Sequence, residues 1–398
     1  MQQHRDIAQA EQLMEDYLKD LETIVNIDSG TYTKSGVDHV GTYLQERFRH
    51  FGFATYFDPQ HEYGNHLVAT HEGNASTGPH IMLIGHMDTV FSEGEAQKRP
   101  FAIRKRDSDG ARIATGPGVL DMKSGLLVGL YGLALANNQQ EDGWQRVTFV
   151  CNSDEEVGSP ASKPLIQELA RNVDAVIVLE PGRLLTSVVS RRRGIGTYRV
   201  EVHGVSAHAG VEPQKGRNAI LELTYQVQQL QALNGTVPGV SLNVGVIRGG
   251  ERTNVVPDYA YCDIDVRVSD ASGLQEIEGA LRRVTSHSRL DGTKITLSGS
   301  MKCMPFECSE RSARLVQLAK EAGNDLGLQI EDLSSGGASD ANNTAPLGIP
   351  TIDGLGAGGG LAHNPDEYVE LDYLPTRIAL LKRLLQHISD YYRNGNKL

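Results

Sequence analysis

Apolar positions along the chain fall into two kinds of run. Ile81–Gly85 (IMLIG), Val147–Cys151 (VTFVC) and Ala175–Leu179 (AVIVL) are short, continuous and followed by polar residues. Parallel strands read this way when helices cover both of their faces. Between these runs, Met122–Asn137 carries apolar residues all round and Ala161–Arg171 is amphipathic at helical spacing. Alternation of strand and helix predicts an α/β layer joined by right-handed crossovers. Near Leu185 the pattern changes. Thr197–His203 (TYRVEVH) alternates apolar and polar, as a strand with one wet face does. A helix is expected over Arg217–Leu233, strands over Val240–Ile247 and Tyr259–Val268 across a Gly249-Gly250 turn region, a helix over Gly273–Ser286 and a strand over Lys294–Ser298. That β-α-β-β-α-β order is the ferredoxin-like α+β pattern. After Met301 the helical and parallel-strand character resumes and ends in the helix Leu374–Asn394.

The expected fold class is therefore α/β: a mixed, mostly parallel sheet with helices on both faces, plus an inserted ferredoxin-like α+β domain. Residues 1–184 and 301–398 make the larger domain and 185–300 the insertion. A chain of 398 residues suits two domains better than one. Lys and Arg number 38 against 50 Asp and Glu, a formal net charge of −12. Such a surface repels phosphate backbones and anionic lipid heads, so neither nucleic acid nor membrane is expected as a partner. The longest apolar stretch, near Gly125–Ala136, is short for a bilayer and interrupted by glycines. The segment Met1–Gln12 is polar, without the apolar centre of an export signal. The four cysteines include no Cys-x-x-Cys pair and cannot form a disulfide framework. The expectation is a reduced, cytoplasmic protein, unless an export signal once preceded this sequence.

The chemistry gathers where the buried runs end. Ile81–Gly85 opens onto His86-Met87-Asp88, Val147–Cys151 onto Asp154-Glu155-Glu156, and Ala175–Leu179 onto Glu180; Asp121 precedes a helix and His363 follows Gly358-Gly359-Gly360. In an open α/β sheet the carboxyl ends of the strands converge on one crevice, where ligands bind. Carboxylates crowded there repel one another unless a cation neutralises them. Two His and several carboxylates without a thiolate suit Zn²⁺, with Co²⁺ or Mn²⁺ as alternatives. Two divalent cations sharing a bridging carboxylate account for the whole set. Each residue has a plainer reading: a hydrogen-bonded structural histidine, a solvated Glu155-Glu156 pair, or Asp121 as a helix cap. Four junctions delivering metal-type side chains to one sheet edge favour the ligand reading.

These residues stand in motifs that resemble the M20 family of di-metal peptidases and deacylases. They are Gly85-His86-Met87-Asp88-Thr89-Val90, Gly116-Pro117-Gly118 with Leu120-Asp121-Met122-Lys123, Asp154-Glu155-Glu156-Val157-Gly158-Ser159, and Glu180-Pro181. Ala207-His208-Ala209-Gly210, Asn254-Val255-Val256-Pro257 and His363-Asn364-Pro365-Asp366-Glu367 follow in family order. The resemblance implies that His86, Asp121 and Glu180 hold one metal and Asp121, Glu156 and His363 the other, with Asp121 as the bridge. It assigns Glu155 as general base. Asp88, two residues beyond His86, is expected to fix the His86 tautomer with its carboxylate. Glu155 and Glu156, as neighbours on an extended segment, should point to opposite sides. The inserted domain corresponds to the family's dimerising lid, which implies a homodimer. In it His208 is expected to steady the oxyanion, Arg267 to clamp a terminal carboxylate and Asn254 to lie near substrate. Arg267 shares its strand face with Asp263 and Asp265, so an ordinary salt-bridge ladder is its plainer reading.

The implied substrate is a small peptide or N-acyl amino acid, and the glutamate carboxypeptidase branch is the best match. The alternatives are a deacylase of acetylornithine or succinyl-diaminopimelate type, a dipeptidase, and a catalytically inactive metal-binding scaffold. The last would be expected to lack the base or the bridge, and both Glu155 and Asp121 are present.

Overall fold

The computed structural model describes residues 2–137, 143–182 and 184–398. The chain opens with helices α1 (Gln2–Gln12), α2 (Met14–Val25) and α3 (Lys34–His50), then strands β1 (Ala54–Asp58), β2 (His66–Glu72) and β3 (His80–His86). Helix α4 (Ser124–Asn137), strand β4 (Arg146–Asn152), helix α5 (Ser162–Ala170) and strand β5 (Ala175–Val178) follow. The second unit comprises β6 (Gly194–His203), α6 (Ala219–Ala232), β7 (Val240–Gly249), β8 (Tyr259–Val268), α7 (Ala271–Thr285) and β9 (Lys294–Cys303). The chain then returns to the first unit with α8 (Glu310–Asp325), β10 (Thr351–Ile352) and α9 (Leu374–Arg393).

The chain divides into two compact units. One is Met1–Ser190 with Cys308–Ser335 and Ser339–Leu398; the other is Arg191–Glu307 with Gly336–Ala338. The insertion thus spans 191–307 rather than 185–300. The stretch that leads into it, Ser187–Arg192, is a strand and pairs with Glu331–Ser335.

In the first unit the main sheet has the order β1-β2-β4-β3-β5-β10. β3 runs parallel to both β4 and β5, and β10 parallel to β5, whereas β1 and β2 are antiparallel additions at one edge. The apolar runs explain this placement. Ile81 and Leu83 join the core cluster, and Met82 and Ile84 on the alternate face are equally buried. Helix α4 is apolar all round because every residue from Ser124 to Ala136 is buried. It begins at Ser124 rather than Met122, because Asp121 and Met122 have non-helical backbone angles inside a wide turn, Val119–Lys123. Gly125 lets this helix approach the sheet: a Cβ there would lie 2.2 Å from the Leu179 carbonyl oxygen.

Helices α1, α2 and α3 and the antiparallel strands β1 and β2 carry only short apolar runs, so the strand pattern alone does not announce them. Buried polar ties fix the first helix. Lys382 Nζ on α9 reaches Asp6 Oδ1 at 2.7 Å, and Arg383 pairs with the other oxygen of that carboxylate. Arg377, also on α9 and fully buried, donates to the carbonyls of Gly354, Gly356, Leu185 and Ser187.

The second unit is a four-stranded antiparallel sheet of order β7-β8-β6-β9. Its alternating strands turn Val200, Val202, Ile264, Val266 and Val268 into one core with Leu223 and Leu230 of α6 and Ile277 and Leu281 of α7. This is the ferredoxin-like order that the alternating pattern predicts.

Gly125→Val should place side-chain carbon against the backbone that leads to Glu180. The expected loss is about 3 kcal/mol, as for overpacked core sites. Calorimetric unfolding reads it as a lowered midpoint, and an unchanged midpoint would show that α4 has room to move.

Candidate metal centre

Strand register brings the first ligand candidates level. Ile84 on β3 lies opposite Val178 on β5, so His86 and Glu180, each two residues further on, leave the sheet side by side. His86 also lies opposite Asn152 at the end of β4, just before the Asp154–Val157 segment. Asp121 arrives from the wide turn ahead of α4. There Glu367 Oε1 accepts from the amides of Leu120 at 2.6 Å and Asp121 at 2.9 Å. His363 sits at φ +64 and Leu361 at φ +62. Left-handed backbone is uncommon for such side chains and tends to accompany functional sites.

Two three-residue groups result: His86, Asp121 and Glu180, and Asp121, Glu156 and His363. Their candidate ligand atoms lie within 4.8 Å of one another in each group. His86 Nε2 is 3.1 Å from Asp121 Oδ1 and 3.7 Å from Glu180 Oε1. His363 Nε2 is 3.2 Å from both Asp121 Oδ2 and Glu156 Oε2. Asp121 therefore turns one oxygen to each group, as a bridging carboxylate would. Two donors held 2.0–2.1 Å from a tetrahedral ion lie roughly 3.3 Å apart, so the spacing fits cations of zinc size. Glu156 Oε1 is buried without a hydrogen-bond partner, which also suits a ligand atom.

Asp88 behaves differently from the expectation. The His86 Nδ1 nitrogen lies 2.9 Å from the Asp88 backbone carbonyl, against 3.5 Å from its carboxylate. A carbonyl only accepts, so Nδ1 carries the proton and Nε2 faces the ligand group. The Asp88 carboxylate instead accepts from the amides of Glu155 and Glu156, each at 3.2 Å, and from Thr31 Oγ1 at 2.7 Å. It shapes the turn that carries both glutamates. That turn is a 3₁₀ turn, Glu155–Val157, rather than extended chain. Successive side chains on it diverge by about 120°, so Glu156 joins a ligand group while Glu155 belongs to neither.

Three further residues support the centre, and of these only Glu367 stands in one of the motifs. Glu367 holds the Asp121 turn. Its role becomes visible only once Tyr368–Glu370 pairs with Arg112–Thr115, shortly before that turn. Thr31 anchors Asp88. Asp340, fully buried, accepts from Ser159 Oγ at 2.5 Å and Asn152 Nδ2 at 2.8 Å, which pins both ends of the Asn152–Ser159 stretch.

The remaining candidates lie in the second unit. His208 pairs with Val255 in a short ladder, and Ala209 donates to the Asn254 carbonyl at 3.0 Å, so His208 and Asn254 are neighbours. One strand of this ladder, Val255–Val256, lies in the link between β7 and β8. Arg267 lies near the other end of β8, opposite Ser241 and Ile195, with Nε 2.9 Å from Asp265 Oδ2. From Tyr259 to Arg267 the strand runs about 27 Å at 3.4 Å per residue.

Charge balance explains the electrostatics. Burial, the largest influence on His86, disfavours its charged form, but hydrogen bonds to Asp121 and Asp88 and the field of Glu180 outweigh it and raise its pKa. Hydrogen bonds to Asp121 and Glu156 push His363 up to about 10. Burial works to raise Asp121, yet hydrogen bonds from His363 and His86 hold it well below the usual carboxylate range. Burial, and then the charge of Glu180, raise Glu155. In the metal-free chain, imidazole protons thus stand where cations would stand.

Cation uptake at pH 7 must displace those protons. It should release protons and tighten as pH rises, which calorimetric zinc titration in buffers of different ionisation enthalpy measures. Uptake without proton release would refute the ligand set. In the metal-free protein the same raised pKa values stabilise the fold fully below about pH 6.5, and that stabilisation fades as pH rises through about 10. Asp88→Asn keeps the carbonyl that orients His86 but turns one acceptor into a donor facing the Glu155–Glu156 amides. Metal affinity or turnover should fall about 10–100-fold, checked by equilibrium dialysis and steady-state kinetics; wild-type values in both would remove Asp88 from the site.

The chain matches the model of the family described as Peptidase family M20/M25/M40 over residues 82–387. It is similar to carboxypeptidase G2 of Pseudomonas sp. (strain RS-16), with 29% identity over 383 residues that cover 93% of this chain and 89% of that protein. It is also similar to the succinyl-diaminopimelate desuccinylase of Dechloromonas aromatica (strain RCB), with 26% identity over 364 residues, 87% of this chain and 92% of that protein. The crystal structure of aminopeptidase PepT from Bacillus cereus ATCC 10987 shares the fold at a TM-score of 0.79 and 21% identity, covering 94% of this chain and 98% of that one. The paired ligand groups and the match across most of the chain lead to one conclusion: the chain belongs to Peptidase family M20/M25/M40 and is a metal-dependent hydrolase.

Proposed function

We propose that the protein is a di-metal carboxypeptidase that hydrolyses the amide bond next to a C-terminal amino acid, with glutamate the first residue to test. The observation that carries this reading is Asp121, whose two oxygens face two separate ligand groups, with Glu155 left outside both. When bound, a pair of divalent cations, zinc in the first instance, would polarise the scissile carbonyl and bring the pKa of a water from about 15.7 towards 7. Glu155 accepts the proton of the attacking water at its carboxylate and returns it to the leaving amine. Asp88 and Thr31 hold the turn on which Glu155 sits, so the base is positioned before substrate arrives.

The similarity to a carboxypeptidase supports this choice over a deacylase. The similarity to a succinyl-diaminopimelate desuccinylase favours the second reading, an N-acyl amino acid deacylase with the same metals and base. A panel of peptidyl and N-acyl derivatives of Glu, Asp, Arg, ornithine and apolar residues separates the two. Preference for ornithine or diaminopimelate over glutamate would overturn the ranking.

Glu155→Gln should lower kcat by roughly 10²–10⁴ while the metal content stays that of the parent; full activity would refute the base assignment. His208, Asn254 and Arg267 are proposed substrate contacts, carried from the family resemblance. Because His208 and Asn254 lie about a strand length from Arg267, we further propose a homodimer in which the partner supplies the first two. Mixing inactive Glu155→Gln and His208→Ala chains should then restore activity, since a mixed dimer contains one intact site. A mixture as inactive as its components would place His208 in its own chain's site.

A further inference from the structure

The five ligand residues are unequally supported by the fold. The side chains of His86, Asp121, Glu156 and Glu180 are between 1% and 13% exposed, whereas that of His363 is 54% exposed. His363 stands in the loop 361–367, which joins Gly359–Gly360 to Tyr368–Glu370, short strands that pair at only two positions. Residues 361–366 are all exposed. Glu367 ties the base of this loop to the amides of Leu120 and Asp121. The angle of the His363 ring nevertheless depends on backbone nearer the tip, and that angle decides whether Nε2 faces Asp121 and Glu156 together.

Arg99 reaches that backbone. Its Nη1 donates to the Pro365 carbonyl at 2.6 Å, two residues beyond His363. Among the described residues this is the one hydrogen bond that reaches 361–366 from outside the loop, contacts of the histidine ring apart. The guanidinium is itself fixed. Nε pairs with Glu95 Oε2 at 3.0 Å, and Cζ lies 4.7 Å from the centre of the Phe91 ring. Nη2 is buried without a hydrogen-bond partner, a cost that ordinary surface ion pairs avoid. The segment beneath is anchored in its turn. Asp28 accepts the amides of Gly94 at 2.8 Å and Ala96 at 2.7 Å, and Asn26 Oδ1 accepts that of Phe101 at 2.8 Å. At the receiving end, the Pro365 ring locks φ at about −65° and disfavours helical backbone at Asn364. A held carbonyl there is a stiff lever on His363.

We propose that Arg99 is a positioning residue for the second ligand group: through the Pro365 carbonyl it sets the pose in which His363 meets Asp121 and Glu156. The inference rests on the two-cation reading above. It makes the two groups unequal. His86 and Glu180 leave the ends of paired strands and keep their places without Arg99, whereas His363 does not. Glu95 balances the charge of the arginine, so the loop is held without an uncompensated positive charge being added beside a cation ligand.

Equilibrium dialysis of the metal-free full chain against zinc reads the two uptake steps separately, and the parent should take up two ions. Arg99→Met should weaken the second step about 10–100-fold and leave the first unchanged. Arg99→Lys, which can offer one donor but no fork, should recover part of that loss. Pro365→Ala keeps the carbonyl but frees φ, and should weaken the same step. Crystals of Arg99→Met grown at limiting zinc should hold their ion among His86, Asp121 and Glu180. Turnover lost by this variant at limiting zinc should return in excess zinc. A second step unmoved by Arg99→Met overturns the proposal, as does an ion retained at His363 instead. Equal weakening of both steps, with a lowered unfolding midpoint of the metal-free chain, marks a merely structural arginine and also overturns it. Should Arg99→Met fail to fold, Arg99→Lys and Pro365→Ala decide: a second step weakened in both supports the role, and one unmoved in either ends it. A parent that binds fewer than two ions sinks the two-cation reading itself, and this role with it.

Discussion

Carboxylates cannot gather in a buried cleft without something positive among them, and most of the first unit is arranged around that constraint. Asp121, Glu156, Glu180 and Glu155 converge from three segments, and each is fully or partly buried. In the metal-free chain the histidines answer with protons, and Glu155 is pushed towards its neutral form. Divalent cations would relieve both at once. The arrangement is thus a set of groups poised for charges larger than the chain itself supplies.

Holding such groups in place falls to carboxylates that belong to neither ligand group. Asp88 and Glu367 each accept two backbone amides, those of Glu155 and Glu156 and those of Asp121 and its neighbour Leu120. Backbone N–H groups in a tight turn have no helix or strand partner, so a carboxylate that takes two of them fixes the turn. A ligand loop anchored by its main chain stays in position whether or not a cation is present. Asp340 does similar work through side chains, linking Asn152 with Ser159.

The larger features were legible in the sequence because they depend on periodicity. Continuous apolar runs at Ile81, Val147 and Ala175 mark parallel strands, and alternation from Thr197 marks the second unit. His86, Glu156 and Glu180 were legible because buried apolar runs end beside them, and the resemblance to the M20 family added Asp121 and His363 and divided the five into two groups. What escaped was local backbone geometry. Neither the wide turn at Asp121 nor the 3₁₀ turn at Glu155 has an apolar rhythm, so a helix start and an extended segment were the natural readings. The exchange of roles at Asp88, with its carbonyl on His86 and its carboxylate on the next turn, depends on hydrogen-bond direction, which spacing does not encode. The antiparallel strands β1 and β2 and the helices α1 to α3 have shorter apolar runs, and their burial comes from tertiary packing.

The position of the insertion carries a consequence for biogenesis. His86, Asp121 and Glu180 all leave the ribosome before the second unit does, whereas His363 follows it. At typical translation speeds the interval between Glu180 and His363 lasts roughly 10–40 s. A nascent chain in that interval can offer three donors for one ion but lacks the histidine of the second group. Completion of the binuclear centre is thereby deferred until almost the whole polypeptide has emerged, so a truncated product would retain half a centre and no paired ions.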